Sequence, residues 1–181
     1  MERSQYQKAV VPAIFCWGVH VNEGTFTAKG DLEAPWENET FETVVLGRGI
    51  TTVSSNSFGG FEELEKLVVQ GEDVFVEHCA FYGYKNLKEI KGFDKISRFD
   101  SHAFYGCSSL TSLIFGGNVT LLDDREFADC TGLKEVCFSA SFSDTTQINK
   151  SFYTRFDGCS SSEKIVVDEE NLVYASQDGV L

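Results

Sequence analysis

The chain has 181 residues, 42% of them hydrophobic and 13% aromatic, which is enough apolar material for a core and argues against wholesale disorder. Its formal net charge of -13 would repel a sheath of phosphates, so nucleic acid is a poor partner. No apolar stretch approaches the roughly 20 residues that cross a bilayer.

At the N-terminus, Arg3 and Lys8 precede the apolar run Ala9–Trp17. Pro12 interrupts that run and no small-residue cleavage pair follows it cleanly, so it makes no clear signal peptide. The residues after it alternate as Trp17-Gly-Val19-His-Val21, turn at Asn22-Glu23-Gly24 and resume as Thr25-Phe26-Thr27. That is the pattern of a β-hairpin. Ala9–Gly30 is therefore read as an N-terminal cap, with residues 1–30 forming tail and hairpin, and Trp36 anchoring the link to the first repeat strand.

Beyond it, a period governs the chain. Phe58, Phe81, Phe104 and Phe127 are each 23 residues from the next, and similar segments follow: FGGFEELEKLVV, FYGYKNLKEIKG, FYGCSSLTSLIF and FADCTGLKEVCF. A fifth copy, FDGCSSSEKIVV, begins at Phe156, 29 residues after Phe127, which places an insertion within Ala140–Lys150. A headless copy, Phe41-Glu-Thr-Val44-Val45-Leu46, precedes the array. About six units over residues 31–181 make a repeat solenoid of the leucine-rich-repeat type, in which stacked neighbours bury a core that no single unit could bury alone.

Within each unit the block L-x-x-L-x-φ, as in Leu110-Thr-Ser-Leu113-Ile114-Phe115, predicts a short strand. A second apolar pair, such as Ile50/Val53, Ile96/Phe99 or Val119/Leu122, predicts another extended segment on the opposite wall. The last residues, Asp178-Gly179-Val180-Leu181, end on apolar side chains, and the expectation is a longer array of which this is a piece, the alternative being a dimer that buries that end.

The unit Ala103-Phe104-Tyr105-Gly106-Cys107-Ser108-Ser109-Leu110-Thr111-Ser112-Leu113 resembles the BspA-like leucine-rich repeat, and Asn171–Leu181 is similar to a segment such proteins carry between repeats. The resemblance runs from about Thr25 to the end. It departs from the family in having Gly, Gln, Ser or Asp where Pro and Gly are usual, and in Ser162, which replaces the anchoring Leu and predicts a less well packed unit. What it implies is a curved solenoid with an adhesive or partner-binding role and no catalysis. It also implies a cell-surface or secreted location; with no clear signal peptide, a cytoplasmic one stays open. The alternative is a structural spacer in a longer surface protein.

Nothing in the sequence calls for a cofactor: there is no phosphate loop, no dinucleotide fingerprint, no metal-ligand spacing among the cysteines and histidines. Cys107, Cys130 and Cys159 share one repeat position, held by Phe61 and Tyr84 elsewhere, so a buried thiol ladder in an apolar slot is favoured over disulfides. A Cys79–His102 pair would lack both a nucleophile motif and an orienting third group. Glycosylation sequons occur at Asn38, Asn118 and Asn149.

The functional expectation rests on the strands. The residue between the two inward apolar positions points out, giving the column Val45, Val68, Lys91, Ile114, Cys137, Val166, five of them apolar. A second outward column reads Thr43, Lys66, Glu89, Ser112, Glu135, Lys164. An apolar stripe beside mixed charges suits a protein partner, a host-surface ligand or self-association. β-propensity alone would also place β-branched residues there.

Overall fold

The computed structural model describes residues 41–55, 57–58, 61–119, 121–142 and 154–173, together with His20–Asn22 and Thr25–Ala28; for those two strands and Leu121–Leu122 it describes the backbone only. The expected anchoring by Trp36, the sequons at Asn38 and Asn149, and the expected insertion beyond residue 142 lie outside the described residues.

Two walls of short parallel strands make a β-solenoid with almost no helix. One wall starts at the strands β1 (His20–Asn22) and β2 (Thr25–Ala28), which pair antiparallel. It continues in parallel through β3 (Thr43–Leu46), β5 (Lys66–Val69) and β7 (Glu89–Lys91). The opposite wall holds β4 (Thr52–Val53), β6 (Val74–Val76), β8 (Ile96–Phe99) and β10 (Leu121–Leu122). The first wall resumes with β9 (Ser112–Phe115), β11 (Glu135–Phe138) and β12 (Lys164–Val167). Alternation along a strand decides what faces the core. In β3 and β5 the second and fourth residues are buried and the others partly exposed.

The repeat phenylalanines form the spine. Phe58, Phe81, Phe104, Phe127 and Phe156 stack ring on ring at centroid separations of 5.5, 4.9, 5.7 and 5.7 Å. The turn that carries them is itself laddered. The Phe81, Phe104 and Phe127 N–H groups donate to the carbonyls of Ala103, Glu126 and Arg155 in the next unit, at 2.8, 2.8 and 3.1 Å. Each unit therefore satisfies its turn peptides on its neighbour, as buried backbone must.

The strand wall is interrupted. Among the described residues no pairing joins β7 to β9, and the wall divides into a five-stranded and a three-stranded sheet. Gly92 is the cause. It stands where the other units place the inward Val69, Phe115 and Phe138, and its φ of 74° ends the strand in a left-handed turn. A Cβ there would lie 2.3 Å from the Val69 carbonyl oxygen, so only glycine fits. The chain then enters the 3-10 helix Phe93–Lys95, and Phe93 fills the core from a new direction, 5.3 Å from Phe99 and 5.2 Å from Phe115. Ile90 beside the split is only partly buried, whereas its counterparts Leu67 and Leu113 are buried.

A recurrent strain lies at the corner before Phe81, Phe104 and Phe127. Cys79, His102 and Arg125 occupy equivalent positions with φ of 55°, 60° and 56°. Left-handed backbone costs a residue with a Cβ about 1 kcal/mol. Arg125 is exposed, and its contact with Asp124 Oδ2 is a loose 3.9 Å. Arg125→Gly is therefore expected to raise stability by about 0.5–1 kcal/mol, read from the urea midpoint; a fall would show that the guanidinium holds the corner.

Candidate functional site

The two outward columns are in register. Val45 lies beside Val68 and Val68 beside Lys91; across the split, Ile114 lies beside Cys137 and Cys137 beside Val166. Thr43, Lys66 and Glu89 align in the same way, as do Ser112, Glu135 and Lys164. Every one of these side chains is partly or fully exposed, and Ile114, at 55%, stands among the most exposed large apolar residues.

Charge on this face is organised by pairing across strands and, between Glu89 and Lys91, along one strand. Lys66 Nζ lies 2.9 Å from Glu89 Oε2, Lys91 Nζ 3.8 Å from Glu89 Oε1, and Lys164 Nζ 3.4 Å from Glu135 Oε1. The hydrogen bond between them raises the Lys66 ammonium above its ordinary pKa and lowers the Glu89 carboxyl below its own. Exposed pairs of this kind add little stability. Their effect is to leave an apolar column flanked by charges that already have partners, which lowers the desolvation cost of covering the face. On the Glu135 side, Cys137 is partly buried, and burial pushes its thiol up, which disfavours the reactive thiolate.

The cysteine ladder forms as expected, with a refinement. Cys107, Cys130 and Cys159 are free thiols, each donating to the carbonyl of the Phe one unit back: Phe81, Phe104 and Phe127, at 3.3, 3.3 and 3.2 Å. Tyr84, in the same slot, gives its hydroxyl to the Phe58 carbonyl. In these four units the slot holds a donor as well as apolar bulk, whereas in the first it is filled by Phe61. A hydrogen bond with Cys107 raises the Cys130 thiol's pKa, and burial pushes that of Cys159 up to about 12.

At the corner, Cys79 Sγ meets His78 Nε2 at 3.2 Å, and the His102 ring packs edgewise on His78 at 5.8 Å. The contact is thus with the neighbouring histidine, and burial together with Asp100 raises the Cys79 pKa, the wrong direction for a nucleophile. Among the described residues no three His, Cys, Asp or Glu side chains converge on a metal position.

With this geometry in view, comparison decides the family. The family described as "BspA type Leucine rich repeat region (6 copies)" matches residues 51–174, more than half of the chain. The chain belongs to the BspA-type leucine-rich repeat family. No curated protein matches it. A leucine-rich repeat protein from Eubacterium ventriosum is similar in structure, with a TM-score of 0.63 and 21% identity over 86% of this chain and 42% of that one. A Treponema pallidum leucine-rich repeat protein (T. pallidum, TpLRR) gives 0.51 and 16% over 89% and 81%. The pneumococcal vaccine antigen PcpA gives 0.52 and 20% over 72% and 29%. The chain thus spans less than a third of PcpA and less than half of the E. ventriosum protein.

Within this BspA-type array, one arrangement escaped the sequence reading. Glu126 and Arg155 precede Phe127 and Phe156, at the buried position that holds Ser57, Ala80 and Ala103 in other units. Glu126 Oε2 and Arg155 Nε lie 3.7 Å apart, with side chains 0% and 2% exposed. Burial pushes the Glu126 carboxyl up to about 7. The signal was available, since opposite charges at one repeat position in consecutive units must face each other, but acidic residues are too common in this chain to stand out singly.

Proposed function

We propose that the outward strand face is a partner-binding surface, used for adhesion or protein interaction at a cell surface. The carrying observation is the two registered apolar segments, Val45–Val68 and Ile114–Cys137–Val166, bordered by Lys66, Glu89, Lys91, Ser112, Glu135 and Lys164. An apolar strip with a polar, pre-paired rim is the anatomy of a protein contact. The family and the solved leucine-rich repeat proteins support a repeat scaffold over an enzyme. PcpA is a vaccine antigen, which supports a surface location for a related array. No helix among the described residues is long and apolar enough to cross a membrane.

The test is substitution on the face. Val68→Glu and Ile114→Glu are expected to abolish binding to extracellular proteins on an array, or self-association in sedimentation, while stability stays within about 0.5 kcal/mol. Unchanged binding would favour the spacer reading instead.

A further inference from the structure

Among the described residues, the position one place after each repeat Phe is held by Tyr82, Tyr105, Ala128 and Asp157. Tyr82 and Tyr105 stack, with centroids 5.0 Å apart and planes 5° from parallel. Tyr105 is tethered by its hydroxyl, which donates to Asp129. Tyr82 is 52% exposed. Against it lies an open cavity of about 450 Å³ whose lining includes Phe61, Glu62, Glu63, Tyr82, Lys85 and Asn86. Its walls come from the preceding unit and from that of Tyr82, so the cavity opens on the ring face turned away from Tyr105.

The lining dictates the ligand. Glu62 and Glu63 offer acceptors and Lys85 donors, and the ion pairs among the described residues engage none of the three. Asn86 commits Nδ2 to the Glu62 carbonyl at 2.9 Å, which orients Oδ1 as a further acceptor. Carboxylates exclude an anion, and an ammonium in the same lining works against a cation. What satisfies a flat aromatic face ringed by donors and acceptors is a neutral ring with an apolar C–H face and hydroxyls at its rim. The volume is within the range of small-ligand clefts, which starts at about 300 Å³.

We propose that this slot is a glycan subsite that takes one neutral hexopyranose unit, stacked on the open face of Tyr82, with its hydroxyls held by Glu62, Glu63 and Lys85. It lies at the turn edge and does not depend on the strand-face reading. The experiment is a titration of the whole chain with methyl glucoside, galactoside and mannoside, followed by backbone amide NMR. At least one glycoside should shift the amides of residues 61–63 and 82–86 with a dissociation constant of about 1 mM. Tyr82→Phe should bind as the wild type does, and Tyr82→Ala should fold yet bind about tenfold more weakly. The proposal is overturned if no glycoside shifts these amides, if Tyr82→Ala titrates like the wild type, or if only arginine ethyl ester or glucuronate binds.

Discussion

Phe104→Ala is expected to lower the unfolding free energy by about 3–5 kcal/mol, measured as a fall in the urea midpoint. Phe104 is fully buried and lies nearly parallel to both neighbours, 9° from Phe81 and 9° from Phe127. Its removal deletes ring contacts with Phe81, Phe93, Phe99 and Phe127 together with the apolar area of the side chain, and backbone ladders hold the flanking units in place, so the cavity cannot collapse. Because each unit touches only its neighbours, the loss falls on the coupling between the units on either side. Amide exchange should then show residues 61–99 and 121–138 opening separately, where the wild type opens as one. An intact single transition would mean that the opposite wall, paired through β6, β8 and β10, suffices to couple them.

Arg155→Met is expected to cost about 3–5 kcal/mol at pH 8 and distinctly less at pH 5. The sign follows from Glu126. Its folded pKa of about 7 lies above the ordinary 4.5, so between these values the folded state holds the proton that the unfolded state releases. Wild-type stability from this group is therefore fully present below about pH 4.5 and is lost as pH rises towards 7, by on the order of 3 kcal/mol. Arg155 opposes that rise by favouring the carboxylate. Without the guanidinium the carboxyl climbs further, and the loss extends into alkaline solution. At pH 5 Glu126 is protonated with or without its partner, and the substitution mainly exchanges one long side chain for another. Equal losses at both pH values would show that Arg155 acts by packing and not by charge.

Both results depend on how much one repeat position means across units. The spacing of Phe58, Phe81, Phe104 and Phe127 by itself determined that these residues are equivalent positions of stacked units. Strand alternation likewise determined which side of each L-x-x-L-x-φ block would face out, and Val68 and Ile114 do so. These features are local and periodic, and a period is visible in one dimension because every unit votes for the same arrangement. The assignment of a partner to that outward face is of another kind, since exposure and register say only that the face can be covered.

Only the tertiary structure decided what depends on contacts between units. Gly92 reads in sequence as a glycine after a strand; that it divides the wall between β7 and β9 follows from its left-handed backbone pressed on the Val69 carbonyl and from Phe93 taking the vacated core. The cysteine slot looked apolar, and the thiols proved to be donors once the carbonyl one unit back was in view. Tyr82 and Tyr105 were single aromatics until stacking left one ring face open beside Glu62 and Glu63. Periodicity states which residues are equivalent, and hence the fold; the exceptions to it are resolved only by what each meets in the neighbouring turn.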